Sequence, residues 1–544
     1  MKIIFILMET VKFLINQDLA EAFKANGLEM AGEALVQPVD LDWADFTCNL
    51  CFRLAREAKC APNVLADKIA EAINNKYKKS EQNEYKVYST SGYINFTVND
   101  SYKINWLNEV EAKGLSAVIK AADKKMDINL EFISANPTGP LTLANGRAGF
   151  LGDALSNILE LVGHKVTREY YINDAGNQIK ILGRAVKARL GLIKAEDNYY
   201  QGEYIADLAE KFKDQADLED EDFGRVLAEY LLKAEIKPVI LHSMGVKIES
   251  WISEYKDIRR VGFLEQILAQ LKETVYTYKE EGAVWLKTTA FGDDKDRVLI
   301  KADGEMTYFL VDIAYHYHKL QRGFDKLITI LGADHYGHIK RMQAGLRALG
   351  YDPKLLEIVI LQMIKLYQGG AEIKMSKRAG NYVLMQQALN EVPADLLRFY
   401  LLSYNPNSQV DIDLDALSSK SDKNPVYSVQ YMFARLNSML QKASELKILE
   451  FNADELSDEW QRLFKELYYL PQAIERAGEN CQPNLLAGAI LSLALTFHKY
   501  YEKERLIVFD RVIFSRHLLI KALHISVKEA LKILGISAPD RMIK

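Results

Sequence analysis

Residues 134–153 read SANPTGPLTLANGRAGFLGD, and the architecture turns on them. Two prolines and two glycines (Pro137, Gly139, Pro140, Gly146) fix a tight turn, after which Phe150, Leu151, Ala154, Leu155, Ile158, Leu159 and Val162 fall on one face of a helix that Gly163 is placed to stop. Just upstream, MDINLEFI at 126–133 is a short alternating apolar run, which predicts a strand. Strand, turn and helix in that order open a nucleotide-binding α/β fold, because the first N–H groups of the helix and its positive dipole end are aimed at an anion. Thr142 and Asn145 place a hydroxyl and an amide on the first helical turn. The plain alternative is that one of them serves only as a helix cap.

A second segment, EIKMSKRAGN at 372–381, follows Gly369 and Gly370. Its cations suit the neutralisation of a triphosphate, and the glycines permit movement. A charged surface loop is the bland reading of the same residues, so the signal becomes specific only in combination with the first turn.

The chain has 544 residues, enough for a large buried core and three or four domains. It is 49% hydrophobic and 26% charged, which marks a globular protein, and it contains no run of about 18 apolar residues to span a bilayer. Ile3–Met8 is apolar, but Glu9 interrupts it and no small-residue cleavage site follows, so residues 1–17 read as the first buried helix or strand. With 69 basic and 74 acidic residues the net charge is −5, so any RNA contact must use local patches. Four cysteines are too few for a secreted disulfide framework, which points to a reducing cytoplasm. Cys48, Cys51 and Cys60 fall in FTCNLCFRLAREAKCAPN, which reads as one amphipathic helix without a His or fourth Cys at ligand spacing. Buried small hydrophobes are expected there, and no protein-bound zinc.

Along the chain, helical spacing over 18–79 gives way to a strand pair around Ser91-Gly92, and 101–125 reads as a linker. Gly183–Glu235 is a charged helical insertion. The runs Val298–Lys301, Tyr308–Val311, Leu327–Leu331 and Ile358–Lys365 continue the α/β pattern, and from Ala394 onward it is almost wholly helical. The expected fold is multidomain α/β: an N-terminal α+β domain at 1–120, a Rossmann-like parallel-sheet domain at 121–393 with a helical insertion near 183–260, and an all-α domain at 394–544. Ligands of open parallel sheets bind outside the carboxyl ends of the strands, which places Gly332–His338 and Tyr308–Asp312 to meet the first turn.

The two loop segments, in this order and separated by an α/β pattern, resemble the HIGH and KMSKS motifs of class I aminoacyl-tRNA synthetases. Their flanks resemble arginyl-tRNA synthetases: EFISANPTGPL from Glu131, YYINDAGNQI from Tyr170, TYFLVDIAYHYHKLQRGFDKLI from Thr307, GADHYGHIKR from Gly332, KMSKRAGNYV from Lys374, DLLRFYLLS from Asp395, NPVYSVQYMFAR from Asn424 and LGISAPDRM from Leu534. GYINF at 92–96 extends the resemblance into the N-terminal domain, so it covers essentially the whole chain. It implies an ATP-dependent arginine–tRNA ligase, cytoplasmic and monomeric, using Mg²⁺ with ATP and binding L-arginine and tRNA(Arg), with tRNA usually bound before the adenylate forms.

Carried over residue by residue, the resemblance implies catalytic and ATP-binding roles for Thr142, Asn145, Lys374 and Lys377, with Ala144 at the ATP. It implies arginine contacts from Glu131, Ser134, Asn136, Asn145, Tyr308, Asp312, Asp334 and His335, and tRNA contacts from Tyr431, Arg435 and Met542. A guanidinium prefers a carboxylate with two parallel hydrogen bonds, which suits Asp312; the alternative for that residue is an N-cap before Ile313. Tyr427 and Phe433 add aromatic surface for unpaired bases, although a core stripe explains such residues equally well. The chain departs from the family where most members have His-x-Gly-His: it has Thr142-Leu143-Ala144-Asn145, which predicts slower activation and puts a methyl where a glycine lets adenine approach. Two rivals remain open on the sequence: a catalytically silent tRNA-binding descendant, and a nucleotidyltransferase that uses no tRNA.

Overall fold

The computed structural model describes residues 7–30, 32, 35–36, 44–77, 84–368, 371–373, 383–413, 417, 424–452 and 456–542. The alternating run before the first turn forms β1 (Asp127–Glu131), and the helix after it is α1 (Leu143–Leu161). The central sheet is completed by β2 (Lys165–Ile172), β3 (Ser250–Ser253), β4 (Lys326–Gly332) and β5 (Leu356–Leu361), in the order β5-β4-β1-β2-β3. All four pairings are parallel, with Thr329 opposite Glu131 and Glu131 opposite Glu169. The chain moves from β1 through α1 to β2 on one side, while β4 lies on the other. A crevice therefore opens at the carboxyl ends of β1 and β4, where ligands of such sheets bind.

Pleating sends Ile128 and Leu130 into the core, whereas Asp127, Asn129 and Glu131 point to the opposite face. Phe150, Leu151, Ala154, Leu155, Ile158 and Leu159 of α1 are buried as their spacing predicts, each worth about 1.5–3 kcal/mol for a large side chain. Gly152 is required by packing, since a Cβ there would overlap the Phe132 ring.

Several local readings change. Tyr308–Val311 is no strand but the first turn of a helix, α2 (Tyr308–Gln321), capped by Thr307, so Asp312 lies inside the helix and is not its N-cap. A helix buried on most of its circumference lacks the polar face that marks amphipathicity, and a Phe-Leu-Val start imitates a strand. The 101–125 segment holds a helix, Asp100–Lys113, whose Trp106 packs edge-on against Phe464 and Tyr468. Ile358–Lys365 spans two strands of different sheets, β5 and Ile364–Gln368. The cysteine segment is a strand, Phe46–Cys48, followed by a short helix, Leu50–Leu54. Cys48 and Cys51 are nevertheless buried, and burial pushes their thiols up to about 11 and about 12, which keeps them protonated and inert.

The N-terminal unit lays the helices Leu7–Ala25 and Pro62–Tyr77 beside a four-stranded antiparallel sheet, in which Tyr85–Thr90 and Tyr93–Val98 form the expected hairpin. The helical insertion begins at Asn177, earlier than the composition suggests, and its helices Asn177–Arg189, Glu203–Phe212 and Asp220–Leu231 share a separate core. At the C-terminus, helices Pro425–Ala443, Asp458–Glu479, Asn484–Lys503 and Phe514–Leu534 form a bundle. One buried cation joins that bundle to the sheet domain. Arg398 donates to the Leu534 carbonyl (2.6 Å), to the Met244 carbonyl (3.5 Å) and to Asp153 of α1, and it lies over the Phe150 ring. Among the described residues no helix is long and apolar enough to cross a membrane.

Candidate active site

The turn after β1 carries backbone strain where the sequence places the chemistry. Ile133 and Ser134 have φ of 69° and 38°, a left-handed pair that costs a β-branched residue on the order of 1–3 kcal/mol. The contortion lets the Ser134 hydroxyl donate to Glu131 Oε1 (2.8 Å) and accept from the Tyr171 N–H (3.0 Å). Tyr170 donates to the Ala135 carbonyl (2.6 Å), Tyr204 of the insertion donates to the Thr138 carbonyl (3.0 Å), and Asn136 donates to Gln178.

Thr142 is the N-cap of α1, and with Asn145 it forms a reciprocal capping box. Asn145 Oδ1 accepts from the Thr142 N–H (3.0 Å) and hydroxyl (2.8 Å). The Thr142 hydroxyl proton is thus committed internally, while Ala144 is exposed and Asn145 half-buried. The turn is also pinned from outside, because Leu143 N–H donates to the Val383 carbonyl (3.2 Å) and Met385 N–H to the Leu141 carbonyl (2.8 Å). Gly146 makes that approach possible, since a Cβ there would overlap Met385 Sδ. Strand Ala371–Ile373 ends directly before the lysine segment and Val383 follows it. Lys374 and Lys377 themselves lie outside the described residues, with the rest of 374–382. Arg147, buried, fixes α1 further by donating to the carbonyls of Gln362 (2.7 Å), Asn405 (3.0 Å) and Ser408 (3.0 Å).

Beside this turn is a nest of carboxylates. Glu131 is spoken for: Lys319 of α2, fully buried, meets its Oε2 at 2.6 Å while Ser134 holds Oε1. Glu169 is held by Tyr315 (2.7 Å) and Arg322 (2.6 Å). Asp312 is different, because its carboxylate has neither hydrogen bond nor ion pair among the described residues. Part of its surface stays open, yet protein surrounds it deeply enough that burial, then the charges of Glu254 and Glu131, push its carboxyl up to about 7, against a weaker pull from Arg341. Tyr308, one turn earlier on the same face, is 54% exposed.

Sequence reasoning missed two members of this nest. Glu254 follows β3 and accepts from the Tyr171 hydroxyl (3.0 Å) and from Arg259 Nε (2.6 Å), and burial raises its pKa despite that cation. Tyr171 stacks on Tyr315 with centroids 4.1 Å apart and feels Glu254, Asp312 and Glu131 at once, so burial and these charges hold its phenol firmly protonated. Nothing in the sequence marks Glu254, because the stretch that forms β3 reads as part of the helical insertion. Asp334 and His335 do occupy the end of β4; Asp334 is exposed, and the His335 ring is 4.9 Å from that of His338.

On the bundle, Tyr427 and Tyr431 stack 6.0 Å apart, and Arg435 donates to the Tyr431 hydroxyl (2.7 Å) on a half-exposed face. Phe433 is withdrawn into the core against His524, so it offers no surface for a base. Met542 is half-buried near the chain end.

Comparison with known proteins agrees with this geometry. Three family models match in series: arginyl tRNA synthetase N terminal domain over 9–98, tRNA synthetases class I (R), catalytic domain, over 109–399, and DALR anticodon binding domain over 429–542. Arginine–tRNA ligase 1 of Bacillus anthracis is 38% identical, the alignment covering 98% of this chain and 100% of that protein; the arginine–tRNA ligase of Shouchella clausii is 36% identical over 98% and 99%. A putative arginyl-tRNA synthetase structure from Campylobacter jejuni is 31% identical with a TM-score of 0.71, covering 82% of this chain and 100% of that one. The Thermus thermophilus arginyl-tRNA synthetase, 20% identical with a TM-score of 0.76 over 98% and 100%, shares the fold. The parallel sheet with its capped α1, joined to an anticodon-binding bundle, defines a class I aminoacyl-tRNA synthetase, an ATP-using ligase. Within that class, the chain belongs to the arginyl-tRNA synthetase family.

Proposed function

We propose that the chain activates L-arginine with ATP and transfers it to tRNA(Arg), with Asp312 reading the guanidinium. The observation that carries the arginine assignment is the unpartnered Asp312 carboxylate facing Glu254 and Glu131. An acceptor held at that negative potential draws a proton more strongly than a free carboxylate does, and for the same reason it draws a planar cation that offers two parallel N–H groups. Tyr308 flanks it on the same helix face, Asn136 and Ser134 line the approach to the amino end, and Glu131 acts mainly by fixing Ser134 and Lys319. Lysine is rejected because one ammonium cannot satisfy the acceptors that a guanidinium bridges.

In the first step an arginine carboxylate oxygen bonds to the α-phosphorus of ATP as the bond to pyrophosphate breaks. In the second, a terminal ribose hydroxyl of tRNA attacks the arginyl carbonyl and AMP leaves. Neither step needs a protein nucleophile, so positioning and charge stabilisation carry the rate. The Asn145 amide and the first N–H groups of α1 meet the nucleotide, Asp334 and His335 border the arginine from the end of β4, and Lys374 and Lys377 neutralise the leaving phosphates. Mg²⁺ arrives with ATP, held by phosphates and water; among the described residues no group of three or more His, Cys, Asp or Glu is assembled to hold a metal. Tyr431, Arg435 and Met542 contact the anticodon stem-loop, and the enzyme works as a cytoplasmic monomer.

Arginine-dependent pyrophosphate exchange, measured with and without tRNA, tests this reading. Absence of exchange under both conditions rejects the enzyme. Exchange that is indifferent to tRNA, with no aminoacylation, favours a nucleotidyltransferase.

A further inference from the structure

The carboxylate nest already contains one guanidinium. Glu254 has only 2% of its side chain exposed, and both of its oxygens are engaged, Oε2 by Tyr171 and Oε1 by Arg259 Nε. Arg259 is held loosely by comparison. Its side chain is 29% exposed, and Nε is the only one of its N–H groups with a hydrogen-bond partner among the described residues. Its Nη2 lies 4.0 Å, and the Tyr308 hydroxyl 3.9 Å, from the point at which a side chain on Gly176 would begin. The resident guanidinium therefore stands at the same corner as Tyr308, one helical turn from Asp312. The chain beyond it runs through exposed Arg260, Val261 and Gly262, so the side chain has room to swing outward.

We propose that Arg259 is an internal stand-in for the substrate: it occupies Glu254 in the free enzyme and is exchanged for the guanidinium of arginine, which then bridges Glu254 and Asp312. The proposal rests on the arginine-site reading above. Its physical basis is that Glu254, buried and charged, tolerates loss of one cation only when another replaces it. A guanidinium is an equal replacement that also reaches Asp312. An ammonium neutralises one carboxylate and leaves the other alone, so the exchange adds to discrimination against lysine. Binding to a site occupied by an internal competitor is weakened by the fraction of time the competitor is seated.

The test is isothermal titration of L-arginine into the full chain at pH 8, for wild type, Arg259→Met, Arg259→Gln and Asp312→Asn, with folding of each checked by thermal melt. Arg259→Met is expected to bind arginine about 3- to 10-fold more tightly, the weight of a part-exposed ion pair. Arg259→Gln, neutral but still able to donate to Glu254, is expected to tighten binding by a smaller factor and covers the case in which the Met variant fails to fold. L-Lysine should compete better against both than against wild type. Unchanged or weaker arginine binding in a folded Arg259 variant overturns the proposal and makes Arg259 a strut that positions Glu254. Should Asp312→Asn leave arginine binding intact, the arginine site itself is misplaced. If Asp312→Asn abolishes binding while neither Arg259 variant tightens it, only the stand-in fails.

Discussion

Replacing Asp312 by Asn separates recognition from stability, because the same burial that makes the carboxylate costly makes it selective. In the free protein its pKa is about 7, against an ordinary value of 3.8. The folded state thus holds the proton more tightly than the unfolded chain does. The favourable contribution is complete below the unfolded value near pH 4 and is lost as pH rises towards 7, so at pH 8 the ionised group costs between about 1 and 4 kcal/mol. Asp312→Asn should therefore raise the melting temperature of the arginine-free protein at pH 8 and do little at pH 4. Arginine, by contrast, pairs only with the ionised form. Wild-type affinity should be flat above pH 7 and fall about tenfold per pH unit below it, with uptake of arginine releasing a proton. Asn removes a pair of charge-assisted bonds worth about 3–4 kcal/mol together, so affinity should drop by about 10²- to 10³-fold and the pH slope vanish. Calorimetry in two buffers of different ionisation enthalpy measures the affinity, the slope and the proton. A variant that binds arginine as wild type does, with the slope intact, would refute both the site and its electrostatics.

Lys377→Ala should reduce pyrophosphate exchange by about two orders of magnitude, the scale of one lost charge-stabilising donor, with the melt unchanged; normal exchange would remove the lysine segment from the chemistry. Gly146→Val should force Met385 away from α1, lowering stability by about 1–3 kcal/mol and slowing activation more than arginine binding, as single-turnover assays can resolve. Lys319→Met leaves Glu131 buried without its cation and should cost about 3–5 kcal/mol in a denaturant titration, much of which Lys319→Met with Glu131→Leu should restore. An additive loss in the double variant would show that the pair is not coupled.

The elements that the sequence announces clearly are those whose pattern has one physical cause. Alternation in MDINLEFI reflects a pleated strand with two different faces, and the capped α1 shows its apolar stripe because one side meets the sheet. Where burial comes from several directions the pattern blurs: α2 reads as a strand at Tyr308–Val311, and Asp100–Lys113 reads as a linker because its partner is a helix some 400 residues away along the chain. The same holds for the site. The motifs make Asp312, Thr142 and Asn145 candidates, although the mutual bonding of Thr142 and Asn145 is not legible in them. Glu254 and Arg259 were invisible, because their relation to Asp312 comes from the sheet order that sets β3 two strands from β1. Nothing in the sequence singles out Lys319, and only the folded chain reveals that it pairs with Glu131.

Arg398 bears on how this protein can be taken apart. Its guanidinium is shared by α1, by the segment at Met244 and by the last turn of the final helix, and Gly535 is a glycine partly because a side chain there would collide with it. A fragment cut at the end of the sheet domain would lose this cation and leave Asp153, on the helix that carries Thr142 and Asn145, with only the more distant Arg168 at 4.0 Å. The border between the catalytic and anticodon-binding parts is thus no seam along which the polypeptide can be divided, and exchange of the bundle between relatives would have to carry Arg398, Asp153 and Gly535 across as one heritable unit.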